Sequence, residues 1–250
     1  MSKKANLYCQ MAAAWCGLAY AALFGLCWYG IAHFYAPAGA SLSPMNLGEF
    51  YAQHRDGIIL GCTLTCIAAA LHIPWTAQLG LMMARIEGPM PLLAICQIMG
   101  GALTVAVLSF PLAIWVASAY RPDMDPQIIR AMNDMAWMTF DLTWALTSVQ
   151  MIAAGLVGLA DKSAVPLFPR WACYLSFEGA IGFIGITGVA FFKSGPFAWD
   201  GIFAFWVPFL PWVLWFSTFS VYMIADIRRR LSEVEPLGAT ELAGSVRLRA

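Results

Sequence analysis

Charged side chains along this chain fall in small islands separated by long apolar runs. Six runs stand out, Met11–Phe34, Ile58–Ala84, Pro91–Tyr120, Met135–Ala160, Trp171–Phe192 and Gly201–Ile227, each bounded by charges, Pro or Gly. An α-helix rising about 1.5 Å per residue needs roughly 20 mostly apolar residues to cross a hydrocarbon core of about 30 Å. Lipid offers the backbone no hydrogen bonds, so runs of this length form helices and not open strands. The pattern predicts an all-α fold: a polytopic membrane bundle of six transmembrane helices, one domain over residues 1–230. The polar segment 231–250 lacks a long periodic apolar face and is expected to be a mobile cytoplasmic tail.

Composition agrees with this reading. The chain has 250 residues, 61% hydrophobic and 11% charged, where soluble proteins are about 45–50% apolar and about 25% charged. Fourteen basic and fourteen acidic residues cancel. That leaves no basic surface large enough to neutralise a run of phosphates, which excludes nucleic acid as a partner.

The distribution of the basic residues sets an orientation. With the N-terminus inside, Lys3, Lys4, Arg85, Lys162, Arg170, Arg228, Arg229, Arg230, Arg247 and Arg249 share one side, and Arg55, Arg121, Arg130 and Lys193 take the other. The positive-inside rule then places both termini in the cytoplasm. The first apolar run exceeds the 7–15 residues of a signal-peptide core, so it reads as an uncleaved span. Arg228-Arg229-Arg230 is expected to anchor the last span among membrane lipid head groups. Of the two outer loops, Tyr35–Gly57 and Arg121–Asp134, the second contains Asp125-Pro126, an N-cap residue with proline at the first helical position, so the fourth helix starts near Pro126.

No metal or cofactor is expected. The seven cysteines, Cys9, Cys16, Cys27, Cys62, Cys66, Cys96 and Cys173, form no Cys-x-x-Cys pair and read as small packing residues. His33, His54 and His72 form no pair at ligand spacing, and no phosphate-binding glycine loop or nucleophile elbow occurs.

The informative residues are the few ionisable ones inside the spans. His72 and Glu178 both lie slightly to the cytoplasmic side of mid-membrane, where an ionisable group costs roughly 2.5–3.5 kcal/mol and normally finds a partner. They are expected to meet. One reading makes them structural, with Glu178 hydrogen-bonded; the other makes them an acid–base pair. Pro74 removes a backbone donor close by and frees the carbonyl of Ala70. Glu178 opens the run Gly179, Gly182, Gly185, Gly188, which would wind halfway round an α-helix as a strip of close approach.

A second polar stripe, Asp134, Trp137, Asp141, Trp144 and Ser148, runs down the fourth helix. Carboxylates beside indole faces suit a cation or an amine, through charge pairing and cation–π attraction, while ordinary interfacial tryptophan is the alternative. In the last helix Trp206 and Trp212 accompany Pro208 and Pro211, which bend it and leave room for a cavity.

Pro169-Arg170-Trp171, with Tyr174 and Glu178, and then Phe191-Phe192-Lys193-Ser194-Gly195-Pro196-Phe197-Ala198-Trp199, resembles a pattern in uncharacterised six-helix bacterial integral membrane proteins, clearest from Asn133 to Arg230. The resemblance implies a helical bundle in a bacterial inner membrane and brings no activity with it.

Two function classes follow. The first is a protein that binds or transports a small lipophilic or amine-bearing molecule in an intrabundle cavity, with Asp134, Trp137, Asp141, Trp144, Trp206 and Trp212 as ligand-binding residues. The alternative is a membrane-embedded enzyme acting on a lipophilic substrate with Glu178 and His72 as acid and base. A further reading makes the chain an accessory subunit that docks on a membrane-protein partner, or on a second copy, through the glycine strip.

Overall fold

The computed structural model describes residues 1–35 and 37–247, with side chains as far as Val234. All its regular structure is helical: α1 (Lys3–Phe24), α2 (Pro44–Ala69), α3 (His72–Glu87), α4 (Leu92–Tyr120), α5 (Pro126–Asp141), α6 (Trp144–Ala160), α7 (Arg170–Gly182) and α8 (Val207–Arg247). These build six stretches long and apolar enough to cross a membrane: Lys3–Ile31, Pro44–Glu87, Leu92–Tyr120, Pro126–Ala160, Arg170–Ala190 and Ile202–Val234. An even number of spans brings the start of the first and the end of the sixth to one face, here called the basic end. The expected tail, 231–250, has its last three residues outside the described ones; before them the backbone continues α8 to Arg247.

Each span packs against its neighbours in sequence, and the sixth returns to the first, so the bundle closes as a ring. Indole–hydroxyl hydrogen bonds pin it from inside. Trp75 Nε1 donates to Ser220 Oγ at 2.8 Å and Trp215 Nε1 to Ser176 Oγ at 2.7 Å, all four residues being buried. Gly17 on α1 lies directly against Trp75 and Ser220, where any side chain would collide with both. Toward the far end the core is aromatic. Trp28 stacks on Phe34 at a centroid distance of 5.1 Å and a 6° angle, with Trp115, Trp137 and Phe140 around it.

Regular geometry fails inside most spans, and the sequence explains where. The second span breaks at Ala70–Leu71, one turn before Pro74, whose ring and missing N–H disrupt the bond to the Ala70 carbonyl. The fourth breaks at Leu142–Thr143; Thr143 Oγ1 donates back to the Thr139 carbonyl at 2.8 Å, a contact that competes with the helix ladder. The first span ends in a π-helical segment, Gly25–Ile31, and the sixth begins in one, Ile202–Trp206, just ahead of Pro208.

The fifth span tightens after Gly182 into a 3₁₀ helix, Phe183–Ala190. This changes the meaning of the glycine strip. At three residues per turn Gly182, Gly185 and Gly188 lie above one another on a single face. That face is covered by the chain's own next segment: a Cβ at Gly185 would lie 2.6 Å from the Phe203 carbonyl oxygen, and one at Gly188 2.7 Å from the Phe197 Cβ. The strip is therefore an internal seam between spans five and six and not an open docking face.

The loops at the far end are also more ordered than the polarity of Tyr35–Gly57 suggests. Helix α2 starts at Pro44, with Ser43 as N-cap accepting from the Asn46 N–H at 3.2 Å. The fourth span starts at Pro126, as read from sequence, with Asp125 accepting from the Gln127 N–H at 2.7 Å.

Candidate ligand-binding site inside the bundle

The break at Leu142–Thr143 ends α5 at Asp141 and turns its side chain into the ring. Asp141 is 2% exposed, makes no ion pair among the described residues, and its Oδ2 is buried with no hydrogen-bond partner. It borders a cavity of about 30 Å³ between spans three to six, lined by Phe140, Trp144, Thr104, Thr147 and Trp212, with Phe183, Ile186 and Phe209 completing the wall. Trp212 Nε1 is a second buried polar atom without a partner. Trp144 is held in place by donating Nε1–H to Thr187 Oγ1 at 3.2 Å. The cavity is thus an aromatic box with one carboxyl on its wall.

Three of the six ligand-binding residues read from sequence, Asp141, Trp144 and Trp212, meet in this cavity. The other three do not join them. Trp137 is 1% exposed and stacks on Trp199 at 5.8 Å as part of the aromatic core. Asp134 is half-buried near the far end, in a separate pocket of about 50 Å³ with Arg130 and Lys193. Trp206 faces outward, 48% exposed, on a shallow groove between the first and last spans. Rotation along an ideal helix put Asp134, Trp137 and Asp141 on one stripe, yet each has a different neighbour, because α5 meets α2, α4 and the 3₁₀ segment of the fifth span at different points along its length.

The structure does not bring Glu178 and His72 together. Glu178 is exposed on the outside of α7, with no hydrogen bond or ion pair among the described residues. Its helix turns Ser176, Gly179 and Ala180 inward instead, against Trp215, Met151 and the Ser148 hydroxyl. His72 is fully buried at the start of α3, ringed by Tyr20, Trp75 and Phe216.

Among the described residues the side-chain hydrogen-bond partner of His72 is the Gln150 amide, which belongs to a node of two amides and a hydroxyl from spans two to four. Gln150 Nε2 lies 3.4 Å from His72 Nε2 and donates to Thr76 Oγ1 at 3.0 Å; Gln97 Nε2 donates to the same oxygen at 2.7 Å. Gly101 makes room for the group, since a side chain there would run into Thr76. Four atoms of this node are buried without partners: His72 Nδ1, Gln97 Oε1, Gln150 Oε1 and, beside them, Tyr20 OH. Thr104 and Thr147, whose hydroxyls lie 3.0 Å apart, stand between the node and the Asp141 cavity, and Thr104 Oγ1 donates to the Gly100 carbonyl. Neutral amides are easily passed over in a search for ionisable residues. In lipid, however, unmet hydrogen-bonding capacity is costly in itself, so Gln97 and Gln150 within apolar runs were the available signal.

No protein-family pattern, curated protein or solved structure matches this chain.

Proposed function

We propose that this six-span membrane protein binds a small protonated amine at Asp141 and passes it through the bundle. The observation that carries this reading is the buried, unpartnered Asp141 Oδ2 on the wall of a cavity boxed by aromatic rings. A carboxyl at such depth without an ion-pair partner calls for a proton or a cation. Few oxygens border the cavity, which disfavours a bare metal cation needing six or more oxygen ligands. A carboxylate inside an aromatic box is instead the chemistry of ammonium recognition, by charge pairing plus attraction to the ring faces.

Size narrows the ligand further. A space of about 30 Å³ matches a cation of one or two heavy atoms, such as ammonium or methylammonium. Passage, as opposed to binding alone, is supported by the polar groups toward the basic end: the Thr104–Thr147 pair, then the Gln150, Thr76, Gln97 and His72 node with its unpaired atoms. Breaks in spans two and four next to His72 and Asp141 agree with this, since interrupted helices commonly mark midplane sites in transporters.

The test is tryptophan fluorescence of the purified protein titrated with methylammonium chloride against sodium chloride, alongside radiolabelled methylammonium uptake into proteoliposomes. Saturable quenching and uptake, both lost in Asp141→Asn, are expected. Quenching that persists in Asp141→Asn, or no saturable response in the wild type, overturns the reading. Binding without uptake removes the passage step alone.

A further inference from the structure

A second site lies at the basic end, built from residues that do not touch the Asp141 cavity. Asp226 on α8 has a side chain only 10% exposed and is surrounded by three guanidinium groups: Arg229 at 2.7 Å, Arg85 from the end of α3 at 3.3 Å, and Arg230 at 3.5 Å. Lys162, exposed on the loop after α6, adds a fourth cation. Against these stand three carboxylates, Asp226, Asp161 and Glu233, the last acting on Arg230, and Asp161 is engaged by the Ser163 and Leu167 N–H groups at 2.9 and 2.8 Å. The cluster carries a surplus of one positive charge.

Each guanidinium offers five N–H donors in a planar fork, and one carboxylate cannot satisfy three of them. Arg85 and Arg229 remain 47% and 46% exposed, and with Lys162 they line a groove of about 500 Å³ whose apolar wall includes Met82, Ile86 and Val165. A second groove of about 280 Å³ shares Val165, Leu167, Asp226 and Arg229 and runs one turn further into the sixth span, to Tyr222 and Ala225. A cationic mouth thus opens onto an apolar track leading into the bilayer.

We propose that this groove is a phosphate site, filled by the head group of an anionic phospholipid. Arginine forks match phosphate oxygens in geometry and charge. The larger groove has the volume of a head group, and the apolar track receives the start of an acyl chain. This goes beyond the triple-arginine anchor, because Arg85 and Lys162 come from other parts of the chain and Arg228, exposed beside them, is not part of the lining.

The experiment measures the thermal midpoint of the detergent-purified protein with added phosphatidylglycerol, phosphatidylcholine or inorganic phosphate. Phosphatidylglycerol raises the midpoint and phosphatidylcholine does not. The double variant Arg85→Gln/Arg229→Gln binds phosphatidylglycerol about tenfold or more weakly, as loss of charge-assisted hydrogen bonds requires, whereas Arg228→Gln binds as the wild type does. A response to inorganic phosphate equal to that of phosphatidylglycerol keeps the phosphate site and overturns the lipid source. Equal responses to the two lipids, or equal loss in Arg228→Gln, overturn the proposal. Should the double variant not fold, Lys162→Gln, exposed and on the same wall, is read instead: weakened phosphatidylglycerol binding supports the site and unchanged binding overturns it.

Discussion

Replacing Asp141 with leucine separates a carboxyl kept for binding from one kept for stability. Leucine branches at the same atom as aspartate, with methyl groups in place of the two oxygens, and the adjoining cavity of about 30 Å³ absorbs the added bulk. Asp141 is 2% exposed, and its Oδ2 has no partner. An unsatisfied buried polar group costs about 1–3 kcal/mol, and exchanging it for an apolar group of similar shape removes that cost. For a chain of this length 1 kcal/mol moves the unfolding midpoint by about 2–4 °C. The ligand-free Asp141→Leu protein should therefore melt about 2–12 °C above the wild type in thermal unfolding followed by near-UV circular dichroism, in amine-free buffer. Methylammonium should raise the wild-type midpoint, by about 2.7 kcal/mol of stabilisation at a hundred times its Kd, and leave the leucine variant unmoved. A variant that melts below the wild type would refute the reasoning, because it would mean that the carboxyl has a stabilising partner within the folded chain.

Three further outcomes follow from the packing and the loops. Gly101→Ala forces a methyl into Thr76 and spreads the amide node, costing about 1–3 kcal/mol of overpacking, while Gly25→Ala, with nothing within 4 Å of the new methyl, is neutral or slightly stabilising; reversible unfolding in mixed micelles measures both. Glu178→Gln, on an exposed face without internal partners, stays within about 0.5 kcal/mol of the wild type by the same assay, and a large loss would place an unseen donor beside it. In the loop after α6, partial burial opposes the Asp161 charge, but N–H donation from Leu167 and Ser163 outweighs it and holds the carboxyl below the usual carboxylate range. Its contribution is then fully present above the ordinary carboxylate pKa of about 4 and is lost as the pH falls through the lowered value. Hydrogen exchange at the Leu167 and Ser163 amides should accelerate only in that acid window, and Asp161→Asn should abolish the dependence.

Much of the architecture was legible from the chain alone, because a bilayer imposes one dominant requirement. Any run of about 20 apolar residues must satisfy its own backbone, and the only local way to do so is a helix. The six spans, the start of α5 at Pro126 and the break ahead of Pro74 all follow from local chemistry. The longer reach of α2 was available too, in Ser43-Pro44, but the polarity of the segment after it obscured the cap.

What faces what was decided by tertiary packing. Helical rotation gives the angle between two side chains on one rod, and the neighbour each of them meets depends on how the rods close into a ring. Hence Asp141 is enclosed while Asp134 sits in a pocket nearer the far end, and Trp212 faces the cavity while Trp206 faces outward. Depth alone suggested that His72 and Glu178 meet, yet α7 turns its small residues to the bundle and leaves its glutamate outside. The glycine strip needed the actual helix pitch: only the tightening from α to 3₁₀ aligns Gly182, Gly185 and Gly188 on one face, where the sixth span covers them. Sequence thus settled where the chain crosses the membrane, since that depends on each segment against lipid, and the structure settled which polar atoms share a space, since that depends on segments far apart in the chain.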